Sequence, residues 1–127
     1  MQTFSFFDTG NRASGAEPER FYHGFVLGLL VDTQDRYDLK SNRESGFGRY
    51  DVVLEPKDRT RDVAVILEFK VLSPRKEKGL EETAQAALQQ IKDRRYREEL
   101  QQHGMKEECI REYGFAFEGK KVLIIGA

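Results

Sequence analysis

Residues 63–71 read Val63-Ala64-Val65-Ile66-Leu67-Glu68-Phe69-Lys70-Val71. Apart from Glu68 and Lys70 the run is apolar and rich in β-branched residues, which predicts a central strand covered on both faces. Side chains alternate along a strand, so Ala64, Ile66, Glu68 and Lys70 share one face, and Val65, Leu67, Phe69 and Val71 the other. Glu68 and Lys70 therefore stand side by side near the end of the most apolar strand in the chain. A buried unpaired charge costs several kcal/mol, so such residues need a partner, a metal ion or an open edge.

Working outward, Pro56–Asp62 is a charged turn and Arg49–Glu55 predicts a second strand before it. Ser45-Gly46-Phe47-Gly48 is a tight connection to an earlier strand over Tyr37–Glu44, giving a three-strand antiparallel meander. Pairing Leu54 with Val63 across the turn puts Asp51 opposite Ile66, within about two residues of Glu68. Two converging carboxylates raise at least one pKa unless a cation lies between them. A hard divalent ion, Mg²⁺ or Mn²⁺, is the natural occupant of such an oxygen site. Beside it Lys70 would orient a water molecule and steady charge on a phosphorus under attack. A plainer alternative stays open: Glu68 and Lys70 make a salt-bridge pair at the sheet end and Asp51 caps a turn.

The remaining elements follow from periodicity and turn formers. Residues 1–18 read as an irregular leader or linker, rich in Gly, Asn, Ser and Asp, whose Phe4, Phe6 and Phe7 would dock on another domain. Pro18 suits a first helical turn, and residues 19–31 are apolar on most sides, predicting a helix buried on more than one face. Gly24 and Gly28 would share a face of that helix and admit a close neighbour. Ser73–Gly79 is a basic loop. A helix is expected from Leu80 to about Leu100, with Leu80, Ala84, Ala87, Leu88 and Ile91 as its apolar stripe and His103-Gly104 as its end. Tyr96 falls off the stripe, and nothing in the sequence accounts for it. Ile110–Phe117 and Lys121–Ile125 predict two more strands. The order is α-βββ-α-ββ, an α/β chain with one domain over residues 19–127.

Composition bounds the function classes. Charged residues make up 34% of the chain, yet 21 Lys and Arg against 22 Asp and Glu leave a net charge of -1. The whole-molecule field thus gives no general attraction for nucleic acid, and any phosphate affinity must come from local clusters. The single cysteine, Cys109, excludes an intrachain disulfide and a thiolate metal cluster. His23 and His103 form no metal pattern with it. No apolar run is long enough for a membrane span and no signal peptide is visible, so a cytoplasmic protein with no membrane partner is expected.

Four stretches carry a family resemblance: Glu19-Arg20-Phe21-Tyr22-His23-Gly24, the block Ser41-Asn42-Arg43-Glu44-Ser45-Gly46-Phe47-Gly48-Arg49-Tyr50-Asp51, then Ile66-Leu67-Glu68-Phe69-Lys70, and Ala87-Leu88-Gln89-Gln90-Ile91. The long block is specific, whereas Glu-x-Lys alone is not. Together they make the chain, from about Phe4 to Ile125, resemble the PD-(D/E)xK nuclease domain that follows a predicted AAA-ATPase-like domain in bacterial proteins. The resemblance implies a restriction-endonuclease-like core with a mixed central sheet flanked by helices. It implies a Mg²⁺- or Mn²⁺-dependent site with Asp51 and Glu68 as metal ligands and Lys70 as the motif's lysine. Glu19 matches a glutamate that completes the metal site in related nucleases; stabilisation of the helix N-terminus explains it equally well. Gln90 matches a glutamine beside the active site, and lies on a helix flank with Thr83, Arg94 and Arg97; a solvated helix side explains it equally well. The motif's proline is absent, since Tyr50 precedes Asp51, and no ATPase motif occurs in this chain.

The expected activity is hydrolysis of DNA phosphodiester bonds, with Arg43, Arg49 and Arg94 contacting the nucleic-acid backbone. No groove-entering module is recognisable, so base-specific reading is not expected. A rival from another class keeps the fold as a non-catalytic nucleic-acid-binding, regulatory or assembly module of an AAA-ATPase-like protein. Oligomeric state, strandedness and endo- or exonuclease mode are not legible.

Overall fold

The computed structural model describes residues 3–8, 24, 27–43, 49–72, 78–118 and 121–126. Six strands form one sheet: β1 (Thr3–Asp8), β2 (Tyr37–Arg43), β3 (Arg49–Pro56), β4 (Ala64–Val71), β5 (Ile110–Glu118) and β6 (Lys121–Gly126). Their order across the sheet is β1-β6-β5-β4-β3-β2. All neighbours are antiparallel except β4 and β5, which run parallel. The sheet is mixed and the fold α/β, as expected of a restriction-endonuclease-like core. A parallel pair needs a crossover, and here it consists of α2 (Leu80–Asp93), α3 (Tyr96–Gln102) and a 3₁₀ turn at Glu107–Cys109. Residues 27–33 form a further helical segment, α1. No described helix is long and apolar enough to cross a membrane.

The meander β2-β3-β4 is present as predicted, and β4 lacks only Val63 of its expected span. Each face of the sheet carries its own apolar layer. On one face Ala64 and Ile66 meet Leu80, Ala84, Leu88 and Ile91 of α2 and Leu100 of α3. On the other, Phe69 packs against Phe115 and Phe117, with ring centroids 4.6 and 5.9 Å away, and Leu29 of α1 lies against this layer. The apolar stripe of α2 is the predicted one, extended by the fully buried Thr83.

Three expectations change. Residues 3–8, expected to be irregular, form β1 along β6. Thr3-Phe4-Ser5-Phe6 alternates polar and apolar residues, and pairing removes an open sheet edge at β6. Residues 19–23, 25 and 26 of the expected helix lie outside the described residues. Over residues 27–33, α1 is not buried on several sides, since Leu27 is 63% and Val31 72% exposed. A helix lying on a sheet buries one stripe, and Leu29 supplies the contact here. Among the described residues, no atom lies within 4 Å of where a Cβ would stand on Gly24 or Gly28, so no neighbour approaches closely there. The long second helix is two helices. Arg95 takes the left-handed conformation, φ 60°, and breaks it between α2 and α3. Helix α3 then ends as predicted. Gly104 has φ 102°, its N–H bonds Gln101 O, and the Met105 N–H reaches Leu100 O, a Schellman arrangement that glycine permits without strain.

A polar tie fixes the approach to β2 against the β3–β4 turn. Asp62 accepts hydrogen bonds from the Arg36 guanidinium, with Nε at 3.2 Å, and the Tyr37 hydroxyl donates to Val63 O at 2.8 Å. Within the turn, Asp58 accepts from the Thr60 N–H and hydroxyl. The Arg36 hydrogen bonds hold the Asp62 carboxyl below its ordinary value of 3.8. With the folded pKa depressed, the contribution of this pair is present above the unfolded value and is lost as pH falls through the folded one. Urea unfolding at decreasing pH should show wild type losing stability below about pH 4, and Asp62→Asn losing less over the same window. Equal losses in the two proteins would show that the pair carries none of the acid sensitivity.

Candidate active site

Asp51 on β3 stands directly opposite Glu68 on β4. The register differs from the expected one by two residues: Leu54 pairs with Val65, not Val63, because the turn retains Val63 outside the ladder. This shift moves Asp51 from a diagonal neighbour to the cross-strand partner of Glu68. Directly opposed residues on an antiparallel pair hold their Cβ atoms about 5 Å apart on the same face. Asp51 and Glu68 are each 1% exposed, and Lys70, two residues further along that face, is 8% exposed.

The helices close over this face because β5 lets them. Gly114 is the parallel partner of Glu68, and a Cβ there would lie 2.5 Å from Ala84 O and 3.2 Å from the Ala87 Cβ. Helix α2 rests on bare backbone beside the carboxylate pair. Gln90, half-buried, is on the helix that covers this face. Its flank is not simply solvated, since Thr83, seven residues earlier, is fully buried.

Past the break at Arg95, the chain turns its next side chain toward β3. The Tyr96 hydroxyl donates to Asp51 Oδ2 at 2.7 Å, and Arg94 Nη1 lies 3.4 Å from the same oxygen. Tyr96, unexplained by the stripe, is thus a neighbour of the site. Its only sequence signal was a lone aromatic among charged helix residues. Arg97 is engaged elsewhere: its Nε bonds Glu112 Oε2 at 3.2 Å, and Nη1 and Nη2 reach Glu107 O and Ile110 O. Glu112, buried on β5, was not singled out by sequence reasoning. Beside Tyr96 a hollow opens between Lys40, Val53, Glu55, Glu99 and Leu100.

The other predicted residues are placed less fully. In the strand register Arg49 stands opposite Lys70, and Arg43 opposite Tyr50. Glu19 and His23 lie outside the described residues. His103 is apart from the carboxylate pair, with Nδ1 2.9 Å from Glu55 Oε2 on the surface.

A family model described as PD-(D/E)XK nuclease superfamily matches residues 17–126. The chain belongs to this superfamily. No curated protein and no solved structure matches it. The superfamily has a nuclease-type fold, and its nucleases typically use divalent metal ions. The donor chemistry here fits such an ion: two carboxylates face each other across adjacent strands, and hard oxygen donors are what Mg²⁺ and Mn²⁺ take, usually one or two carboxylates plus waters and a phosphate. Among the described residues no group of three or more His, Cys, Asp or Glu side chains gathers at one point, so the pair is what this part of the chain offers.

Proposed function

We propose that this superfamily member is a metal-dependent nuclease domain that hydrolyses DNA phosphodiester bonds. The observation that carries the reading is the register that puts Asp51 opposite Glu68, both buried, on the face that also bears Lys70. Asp51 and Glu68 hold Mg²⁺ or Mn²⁺, with Glu19 as a third carboxylate. When bound, the ion supplies Lewis-acid polarisation of a phosphoryl oxygen and lowers the pKa of a water. The Lys70 ammonium donates a hydrogen bond to the attacking water, fixing its line of approach, and opposes the charge that grows on the non-bridging oxygens. The water oxygen forms the new bond to phosphorus, the P–O bond to the leaving group breaks, the water's proton passes to solvent, and the leaving oxygen takes up a proton from solvent. The Gln90 amide orients the scissile phosphate, and Arg43, Arg49 and Arg94 contact neighbouring phosphates. Such contacts position the substrate without reading its sequence.

Plasmid and oligonucleotide DNA, incubated with the chain and Mg²⁺ or Mn²⁺, should be cleaved, and chelation should stop the reaction. Asp51→Ala and Lys70→Ala should each lose cleavage, and Asp51→Ala should also lose Mn²⁺ binding by calorimetry. Absence of cleavage with either metal on either substrate form would count against the reading.

A second reading has its own support. The net charge is only -1, and α1 exposes Leu27 and Val31. These features suit a non-catalytic regulatory or assembly module working with an AAA-ATPase-like domain in a bacterial cytoplasm. Mn²⁺ calorimetry separates the two, because a retired fold has no need to bind the ion.

A further inference from the structure

We infer that Tyr96 is a positioning residue for the metal site, acting through Asp51; the inference rests on the proposed metal site. Three observations converge on it. The Tyr96 hydroxyl donates to Asp51 Oδ2 at 2.7 Å, a short, well-formed bond to a carboxylate that is 1% exposed. A hydrogen bond to an ionised acceptor is roughly twice as strong as a neutral one, and stronger again away from water. The bond is built at a cost in backbone conformation. Arg95 holds φ 60°, the only positive φ at a described non-glycine residue, and a left-handed residue with a side chain costs about 1–2 kcal/mol. Strain of this kind persists where surrounding structure over-determines it, and clusters at functional sites. Here the break comes two residues after the end of α2, and the next side chain, Tyr96, returns to β3 at Asp51.

The chemistry follows from the carboxylate having two oxygens. With Oδ2 held by the phenol, rotation of the Asp51 carboxyl is restrained on the strand position opposite Glu68. A ligand pre-set in this way loses less freedom when it takes a cation, and outer partners of metal ligands typically contribute 10–100-fold to affinity. Arg94 approaches the same oxygen, so the cation and the phenol both restrain Oδ2. Neither Tyr96 nor its bond touches substrate in this scheme; its effect passes through Asp51.

The test is Mn²⁺ calorimetry on the whole chain, comparing wild type with Tyr96→Phe and Tyr96→Leu, and with Glu99→Gln as a control on the exposed side of α3. Thermal melts without metal establish that each variant is folded at the titration temperature. The expected result is a Kd for Mn²⁺ weakened about 10–100-fold in both Tyr96 variants at unchanged stoichiometry, with Glu99→Gln like wild type. In cleavage assays the Tyr96→Phe defect should recover as Mn²⁺ is raised, which a purely structural loss would not do. If wild type binds Mn²⁺ and Tyr96→Phe binds it equally well, the positioning role is overturned and the metal site stands. If Tyr96→Phe does not fold, equal binding by Tyr96→Leu overturns the role in the same way. If wild type binds no Mn²⁺, the metal site itself falls and the inference with it.

Discussion

Glu68→Gln is expected to abolish divalent-metal binding and to lower metal-dependent cleavage by on the order of 10²–10³-fold or more, with native far-ultraviolet circular dichroism. The substitution keeps the size and shape of a side chain that is 1% exposed, so it removes charge without opening a cavity. What disappears is one of two carboxylates directly opposed across β3 and β4. A Lewis-acidic ion contributes several kcal/mol to a phosphoryl transition state, and each 1.36 kcal/mol is a factor of ten in rate. The same variant separates the nuclease reading from the plainer one, in which Glu68 and Lys70 only staple the sheet. A staple would show itself as a change in melting temperature with cleavage and Mn²⁺ binding retained, and that result would retire the hydrolytic proposal.

The second large effect is on stability. Gly114→Ala should destabilise the protein by about 2–4 kcal/mol, at or beyond the upper range for overpacking a core. The added Cβ would meet Ala84 O at 2.5 Å, with the Ala87 Cβ and Leu88 Cγ at 3.2 Å. A backbone carbonyl inside a helix cannot swing aside as a side-chain tip can, so α2 must lift from β5. Each kcal/mol is worth about 3–5 °C in a domain of this size, so the melting temperature should fall by roughly 10 °C. Because Gly114 is paired with Glu68, the displaced helix also uncovers the carboxylate pair, and Mn²⁺ affinity should fall with stability. A melting temperature within about 2 °C of wild type would mean that the helix–sheet spacing is looser than the structure requires.

How much of this was legible depends on the range of the forces involved. The grouping of Glu68 with Lys70 on one face is a property of a single strand. So is the contrast between that face and the one bearing Leu67 and Phe69, and both appeared in the structure unchanged. The stripe of α2 and the Gly104 terminus of α3 are likewise local, governed by helical periodicity and by glycine's tolerance of positive φ. The strand Thr3–Asp8 was missed because its alternation covers only Thr3-Phe4-Ser5-Phe6 before a run of turn formers begins at Asp8. Only a free edge on β6 makes them a strand. Tyr96 was anomalous to helix periodicity because periodicity assumes one continuous helix, and Arg95 ends it.

The sequence alone determined that a glutamate and a lysine would lie together on the most buried strand, because alternation is dictated by backbone geometry and by nothing distant. Only the tertiary structure decided that Asp51 stands opposite Glu68 and that a phenol from another helix grips it. Register depends on how many residues the turn keeps out of the ladder, and the aim of Tyr96 depends on a break stabilised by contacts far along the chain. Both are outcomes of packing, in which short-range preferences are one term among many.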